Sequence, residues 1–207
     1  MILGVTPARG GSKGVPCKNV RAIHGRPLIA WTIDAARASK LIERYVVSTE
    51  DPEIAAVARK LDAEVLDRPA ELADDTTTTV DVLRHVLTQV DADTVVLLQA
   101  TSPIRDPGLV DRCIERFFDT GVDSLATGLI CKFTPYGKNT RPRQDIDGFF
   151  YDDGNVYVMR ADIIRTGDRY GSRLEQVPLD REQNVEIDDE FDFWVAEQVL
   201  KRRHGAA

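Results

Sequence analysis

Arg9, Lys13 and Lys18 are spaced through Ala8-Arg-Gly-Gly-Ser-Lys-Gly-Val-Pro-Cys-Lys-Asn19, which also holds Gly10, Gly11, Gly14 and the hydroxyl of Ser12. Glycines let backbone N–H groups close around an anion, and cations beside them neutralise it. The stretch follows the apolar run Ile2 to Thr6, so it reads as a buried strand leading into a phosphate-cradling loop. It is not a Walker A loop, because Gly14 rather than Ser or Thr follows Lys13, and it lacks the Gly-x-Gly-x-x-Gly dinucleotide fingerprint. At the other end of the chain, Glu186 and Asp188 flank Ile187. Residues two apart in an extended segment point to one side. The pair can therefore share a divalent cation, and Mg²⁺ held by one or two carboxylates plus substrate phosphates fits it. Placement for a helix dipole accounts for Asp189 and Glu190 better than for Glu186.

The elements that must position these groups alternate. Apolar or β-forming runs predict strands at Ile2–Thr6, Arg44–Thr49, Glu64–Leu66, Thr94–Leu98, Asp123–Ile130, Asn155–Met159 and Leu174–Pro178. Helical spacing predicts helices from Pro27 to about Ser39, from Asp51 to Leu61, through Val80–Val90, through Val110–Phe117, and after Asp192 with Phe191, Trp194, Val195 and Val199 as its apolar positions. This alternation implies a three-layer α/β fold. Open parallel sheets bind ligands at the carboxyl ends of their strands. The polar clusters fall at those ends: Arg9–Asn19, Ser48–Thr49, Arg68–Thr79 and Gln99–Arg105, with the acidic cluster before the last helix. The Asp74-Asp-Thr-Thr-Thr-Thr79 run either caps the next helix or supplies hydroxyls that read a base edge.

A length of 207 residues fits one domain over 1–207. Within it, 131–150 is polar and reads as a hairpin excursion or flap. A net charge of −7 disfavours nucleic acid and anionic membranes as partners, and makes the basic loop a local exception suited to a small anion. Cys17, Cys113 and Cys131 form no Cys-x-x-Cys pair, which argues against a disulfide framework or structural zinc. No apolar run approaches a membrane span, and Met1 leads straight into the first strand, so a cytoplasmic enzyme or binding protein is expected.

Together the ordered segments Ala8–Asn19, Val47-Ser-Thr49, Arg68-Pro69, Gln99-x-Thr-Ser-Pro-x-Arg105 and the acidic motif before the last helix resemble the acylneuraminate cytidylyltransferase family. The resemblance implies a Rossmann-like nucleotidyltransferase fold with a small dimerisation excursion, reduced here because the segment from Arg105 to Gly154 is short. It implies CTP and an acidic keto-sugar as substrates, Mg²⁺ as cofactor, and CMP-sugar and pyrophosphate as products. Phe133, Tyr136, Phe149 and Phe150 in the excursion need cover, which a homodimer supplies most simply and a flap folding over the acceptor would supply equally. Arg9, Lys13 and Lys18 would be catalytic cations. Arg9, Ser12, Lys13, Lys18 and Asn19 would bind the triphosphate, with Ala8, Gly10 and Gly11 in the same loop. Arg68, Thr77 and Thr79 would surround the cytidine. Gln99, Arg143 and Tyr157 would meet the sugar, and Asp188 with Glu186 would hold the metal, Glu186 standing where the family carries an aspartate. Family members acting on sialic acid often carry Arg-x-Asn-Gly where this chain has Tyr151-Asp-Asp-Gly154, so Tyr151 and Asp153 replace an arginine and an asparagine at the acceptor site. The acceptor is therefore expected to be a relative of sialic acid, with another small anion or sugar phosphate as the alternative. A non-catalytic nucleotide-binding or assembly protein is the alternative outside enzymes.

Overall fold

Continuous apolar strands need cover on both faces, and alternating helices supply it. In the computed structural model, which describes residues 1–138 and 141–205, β1 (Ile2–Pro7) leads to a small hairpin of β2 (Ala22–Ile23) and β3 (Arg26–Pro27), then α1 (Leu28–Ala38), β4 (Arg44–Thr49), α2 (Pro52–Lys60) and β5 (Glu64–Asp67). The chain continues through α3 (Thr79–Gln89), β6 (Thr94–Leu98), α4 (Leu109–Thr120), β7 (Ser124–Cys131), β8 (Phe149–Arg160), α5 (Ala161–Arg165), β9 (Leu174–Pro178) and α6 (Glu190–His204). The main sheet has the order β5-β4-β1-β6-β8-β7-β9. β8 pairs antiparallel with both β6 and β7, and the other neighbours pair parallel.

β6 shows why the layers form. All its residues are buried, and successive side chains point to opposite faces. Val95 and Leu97 pack with Leu83 and Val86 of α3 and Ile164 of α5. Val96 and Leu98 pack with Val110, Cys113 and Ile114 of α4. Ile29 and Ile33 of α1 join Ile54 and Ala58 of α2 over Val47. The helix starts follow local chemistry. Asp51 accepts from the amides of Glu53 and Ile54 ahead of Pro52, and Thr78 and Asp81 form a capping box.

Four elements depart from the sequence reading. α6 buries Phe193, Ala196 and Leu200, whereas Phe191 and Trp194 are exposed and stack on each other. Apolar residues lie on two sides of this helix, so the spacing of aromatic residues selected the wrong face. β8 begins at Phe149 rather than Asn155, because Phe149–Asp152 pair with Cys131–Gly128 beyond the body of the sheet. That extension is exposed at Phe149, Tyr151 and Asp152 and carries no buried alternation to read. The expected excursion over 131–150 is thus partly a two-stranded ladder and partly its connecting loop, of which residues 139 and 140 lie outside the described residues. The β2–β3 hairpin turns at His24-Gly25, both at positive φ. α5 is too short to show a helical period.

One carboxylate fixes the start of β7 against the loop entering β9. Asp123 accepts from the Ser172 and Arg173 amides, the Ser172 hydroxyl at 3.0 Å and the Arg173 guanidinium at 2.9 Å. These bonds, the Arg173 side chain first, hold its carboxyl well below the usual carboxylate range. A depressed folded-state pKa contributes stability that is present above the unfolded value near pH 4 and lost as pH falls below it. Asp123→Asn is therefore expected to lower the thermal midpoint by a few degrees at pH 7, with the gap narrowing below about pH 4. Thermal unfolding across a pH series checks this, and a gap independent of pH would refute it.

Candidate active site

The carboxyl ends of β1, β4, β5 and β6 share one edge of the sheet, and the loops leaving β1, β5 and β6, with Asp188 ahead of α6, enclose a cavity of about 400 Å³. Arg9, Ser12, Lys13, Lys18, Asn19, Arg68, Thr77, Thr79, Gln99 and Asp188 all line it. Ala8, Gly10 and Gly11 do not. Ala8 is buried, and its amide donates to the Ser48 carbonyl at 2.9 Å. The Gly10 amide donates to Glu50 Oε1 at 2.7 Å, and a Cβ there would strike the Asp51 carboxylate. The cradle is therefore made of side chains around a tethered loop, rather than of the Gly10 amide. Asn19 Nδ2 closes that loop on the Arg9 carbonyl at 2.9 Å. Gly14 brings it to the far end of the chain: a Cβ at Gly14 would collide with the Asp188 carbonyl oxygen. Lys18 Nζ donates to the Ile187 carbonyl at 2.6 Å across the same contact.

On the opposite wall, Arg68 is buried and paired with Glu50, which also holds the loop through Gly10. A buried guanidinium needs such a partner. The Asp74–Thr79 run caps the next helix, the first of the two uses its composition allowed for. Asp74 Oδ1 accepts from the amides and hydroxyls of Thr76 and Thr77, which hold its carboxyl down at about 2, the Thr77 hydroxyl contributing most. Thr78 caps α3. Thr77 and Thr79 are left at the cavity wall. Asp75 reaches across and pairs with Arg9 at 2.9 Å and with Lys13. It takes the place an anionic ligand would occupy between these cations.

The expected acceptor residues divide. Gln99 lines the first cavity, and its Nε2 lies 3.0 Å from where a Cβ on Gly154 would stand. Glu186 Oε1 approaches the same point at 3.0 Å, so the positive-φ glycine lets the two side chains meet over it. Arg143 and Tyr151 instead line a second, larger cavity of about 1130 Å³ that includes Glu186 and Phe149. Tyr157 is buried in the core with its hydroxyl donating to Asp152 Oδ2 at 2.9 Å. Asp153 is buried and turned inward: its Oδ1 accepts from the Thr127 hydroxyl and the Asn155 amide, both at 2.9 Å. Thr127 and Asn155 hold Asp153 inside the fold rather than at a cavity wall.

Glu186 and Asp188 flank the buried Ile187, whose amide is anchored on the Thr101 carbonyl at 2.9 Å. Burial first, then the charges of Asp188, Asp153 and Asp152, push the Glu186 carboxyl up to about 7, with Lys18 opposing. Burial pulls Lys18 below its ordinary range against the opposite pull of Asp188 and Glu186. Such an excess of negative charge suits a cation. Among the described residues no three His, Cys, Asp or Glu side chains gather at one point. Asp188 lines the first cavity and Glu186 the second, so of the expected pair only Asp188 faces the cations of the first cavity; one or two carboxylates completed by substrate oxygens are the habit of Mg²⁺. Glu50 escaped the sequence reading, and Asp75 and Gly154 stood in motifs it singled out but without these roles, since their partners are fixed only by long-range contacts.

Asp75→Asn is expected to tighten binding of inorganic tripolyphosphate about two- to fivefold at low ionic strength, the range exposed ion pairs allow. The gain should shrink as salt rises. Calorimetric titration of both proteins measures it, and equal or weaker binding by the variant would show that Asp75 does not compete for the cations.

The profile of the family described as cytidylyltransferase matches residues 3–168. N-acylneuraminate cytidylyltransferase A of Danio rerio is 33% identical over 213 residues, covering 94% of this chain and 50% of that protein. The chain thus spans about half the length of that relative. CMP-N,N'-diacetyllegionaminic acid synthase of Legionella pneumophila is 32% identical, covering 97% of this chain and 96% of its own length. Among solved structures, a CMP:2-keto-3-deoxy-manno-octonic acid synthetase complexed with CTP superposes with a TM-score of 0.78 at 15% identity, covering 98% of this chain and 99% of that one. The fold is therefore that of the nucleotidyltransferases, and the chain belongs to the cytidylyltransferase family.

Proposed function

We propose that this protein transfers CMP from CTP to a nonulosonic acid, an acidic keto-sugar, with release of pyrophosphate. The observation that carries the reading is one cavity in which Arg9, Lys13 and Lys18 face Asp188 at the carboxyl edge of β1 and β6. The names of the Danio and Legionella relatives, one acting on N-acylneuraminate and one on a legionaminic acid, support the acceptor class.

In the proposed reaction an acceptor oxygen attacks the α-phosphorus of CTP. A new P–O bond forms, the bond to the β-phosphate oxygen breaks, and pyrophosphate leaves with the bonding electrons as the acceptor hydroxyl gives its proton to solvent water. Such transfers are accelerated mainly by positioning and charge neutralisation. Arg9 and Lys13 stabilise the charge growing on the phosphates, and Lys18 holds the leaving pyrophosphate. Asn19 keeps the loop in register through the Arg9 carbonyl. Thr77, Thr79 and Arg68 form the wall against which the cytidine rests. Gln99 orients the acceptor. Asp153, being enclosed, supports the strand rather than taking the proton. Mg²⁺ is the proposed cofactor: Asp188 and Glu186 would hold it, and it would supply further neutralisation of the phosphates.

We further propose a homodimer built on the β7–β8 extension and α6. Phe133, Phe149 and Phe191 are each more than half exposed and border the second cavity, a patch of the kind that marks interaction sites. A partner seated there would also close the cavity that holds Arg143 and Tyr151.

Lys18→Ala is expected to lower turnover by about 10²–10³, the range for removing one charge-stabilising donor, without unfolding the protein. Pyrophosphate release with CTP, Mg²⁺ and a panel of nonulosonic acids is the measurement, and release near the wild-type rate would refute the assignment of the loop. Phe149→Asp should convert a dimer to monomer in analytical ultracentrifugation, and an unchanged sedimentation coefficient would refute the interface.

A further inference from the structure

Arg105 touches neither the cavity that holds Gln99 nor the one that holds Arg143, yet it is bound to the backbone of both strands that meet there. Its side chain turns back beneath the carboxyl end of β6. Nη1 donates to the Thr32 hydroxyl oxygen at 2.9 Å, and Nη2 donates to the carbonyls of Gln99 and Asn155, both at 2.8 Å. The Thr32 hydroxyl in turn donates to the Gln99 carbonyl at 3.2 Å, and the Ser102 amide reaches it at 3.4 Å. Leu98 and Val156 form the last register pair between β6 and β8, so the Gln99 carbonyl stands just past the ladder. A carbonyl leaving a sheet needs a new partner, and here the guanidinium is that partner.

Arg105 has no ion-pair partner among the described residues, and its Nε is enclosed without a hydrogen bond. Keeping an unpaired cation in such a place is costly. What it holds is the junction where β8 runs antiparallel beside β6. One residue before Asn155 is Gly154, the point over which Gln99 Nε2 and Glu186 Oε1 converge. The outer side of Arg105 faces a separate cavity of about 560 Å³ between α1 and the start of α4.

We propose that Arg105 is a positioning residue for the transfer: by clamping the carbonyls of Gln99 and Asn155, it aims the Gln99 amide at the acceptor over Gly154. This rests on the cytidylyltransferase reading of the site. Lysine cannot replace it, because a single ammonium lacks the planar fork that serves Thr32, Gln99 and Asn155 together.

The test is a double-mutant cycle of Arg105→Lys with Gln99→Ala, read as acceptor-dependent pyrophosphate release. Arg105→Lys alone is expected to lower kcat about tenfold or more, as a small displacement of a positioning group does, with KM for CTP within about twofold. In the Gln99→Ala background the same change should cost less than about twofold, because groups that act through one another are not additive. Multiplicative losses, or a kcat near wild type, would overturn the proposal. Thr32→Val, which removes only the relay hydroxyl, should give a smaller loss that also vanishes with Gln99→Ala. It carries the cycle if Arg105→Lys does not fold. A second readout needs no substrate: the side-chain amide resonances of Gln99 should shift in the Arg105→Lys and Thr32→Val proteins, and unchanged resonances would overturn the proposal. Wild-type protein inactive with every acceptor would instead count against the cytidylyltransferase reading, while the Gln99 resonances would still decide the role of Arg105.

Discussion

The site depends on a contact between residues 169 apart in sequence, where Lys18 Nζ meets the Ile187 carbonyl. Gly14 makes the approach possible, since any side chain there would collide with the Asp188 carbonyl. This contact joins the cationic loop after β1 to the acidic segment before α6. It acts together with the Ile187 amide, which is anchored on the Thr101 carbonyl at 2.9 Å. Ile187 seals the contact from below, fully buried with Val15 and Ile23 from the loop side and Phe193 from α6. An apolar residue between two carboxylates thus ties the chemistry of the segment to the packing of the last helix.

The charges of the site are arranged to neutralise one another in the absence of a ligand. Asp75 answers Arg9 and Lys13, Glu50 answers Arg68, and the charges of Asp188 and Glu186 favour the charged form of Lys18. Exposed pairs such as those of Asp75 are weak and exchange readily with a ligand. The buried pair of Arg68 and Glu50 is structural, because breaking it would strand a charge away from water. The same edge of the sheet therefore holds a fixed wall and an exchangeable one, which a polyanion needs in order to enter an already formed cleft.

The reversal of strand direction at β8 adds a second function to the sheet. Parallel strands end at the site with their carboxyl ends, but β8 arrives there with its amino-terminal half. It brings Gly154 beside Gln99 and carries Phe149 to Asp152 outward on the extension with β7. The bulge between Ala126 and Gly128 lets that extension diverge from the flat register of the sheet. The larger cavity with Arg143, Tyr151 and Glu186 lies under this divergence. Acceptor-side chemistry is thus carried by a ladder that leaves the core, while nucleotide-side chemistry is held by loops rooted in it.

The strands β1, β4 and β6 and the starts of α2 and α3 were legible in the sequence, because their signals are local: apolar runs for strands covered on both faces, and Asp51-Pro52 or Thr78 with Asp81 for helix caps. The cationic loop, the carboxylate of Asp188 and the order of the polar clusters were legible for the same reason, since residue type and chain order suffice to state them. The inward turn of Asp153 was not, because Thr127 on another strand decides it. Nor was the buried face of α6, whose apolar residues lie on two sides and are sorted only by what packs against Phe193, Ala196 and Leu200. Asp75, Glu50, Gly154 and Arg105 gain their roles from groups placed opposite them by the sheet. Sequence by itself determined which chemistry the chain carries and the scaffold type that holds it. Tertiary structure alone decided which groups meet, because hydrogen bonds and ion pairs act over a few ångströms and those distances are set by packing.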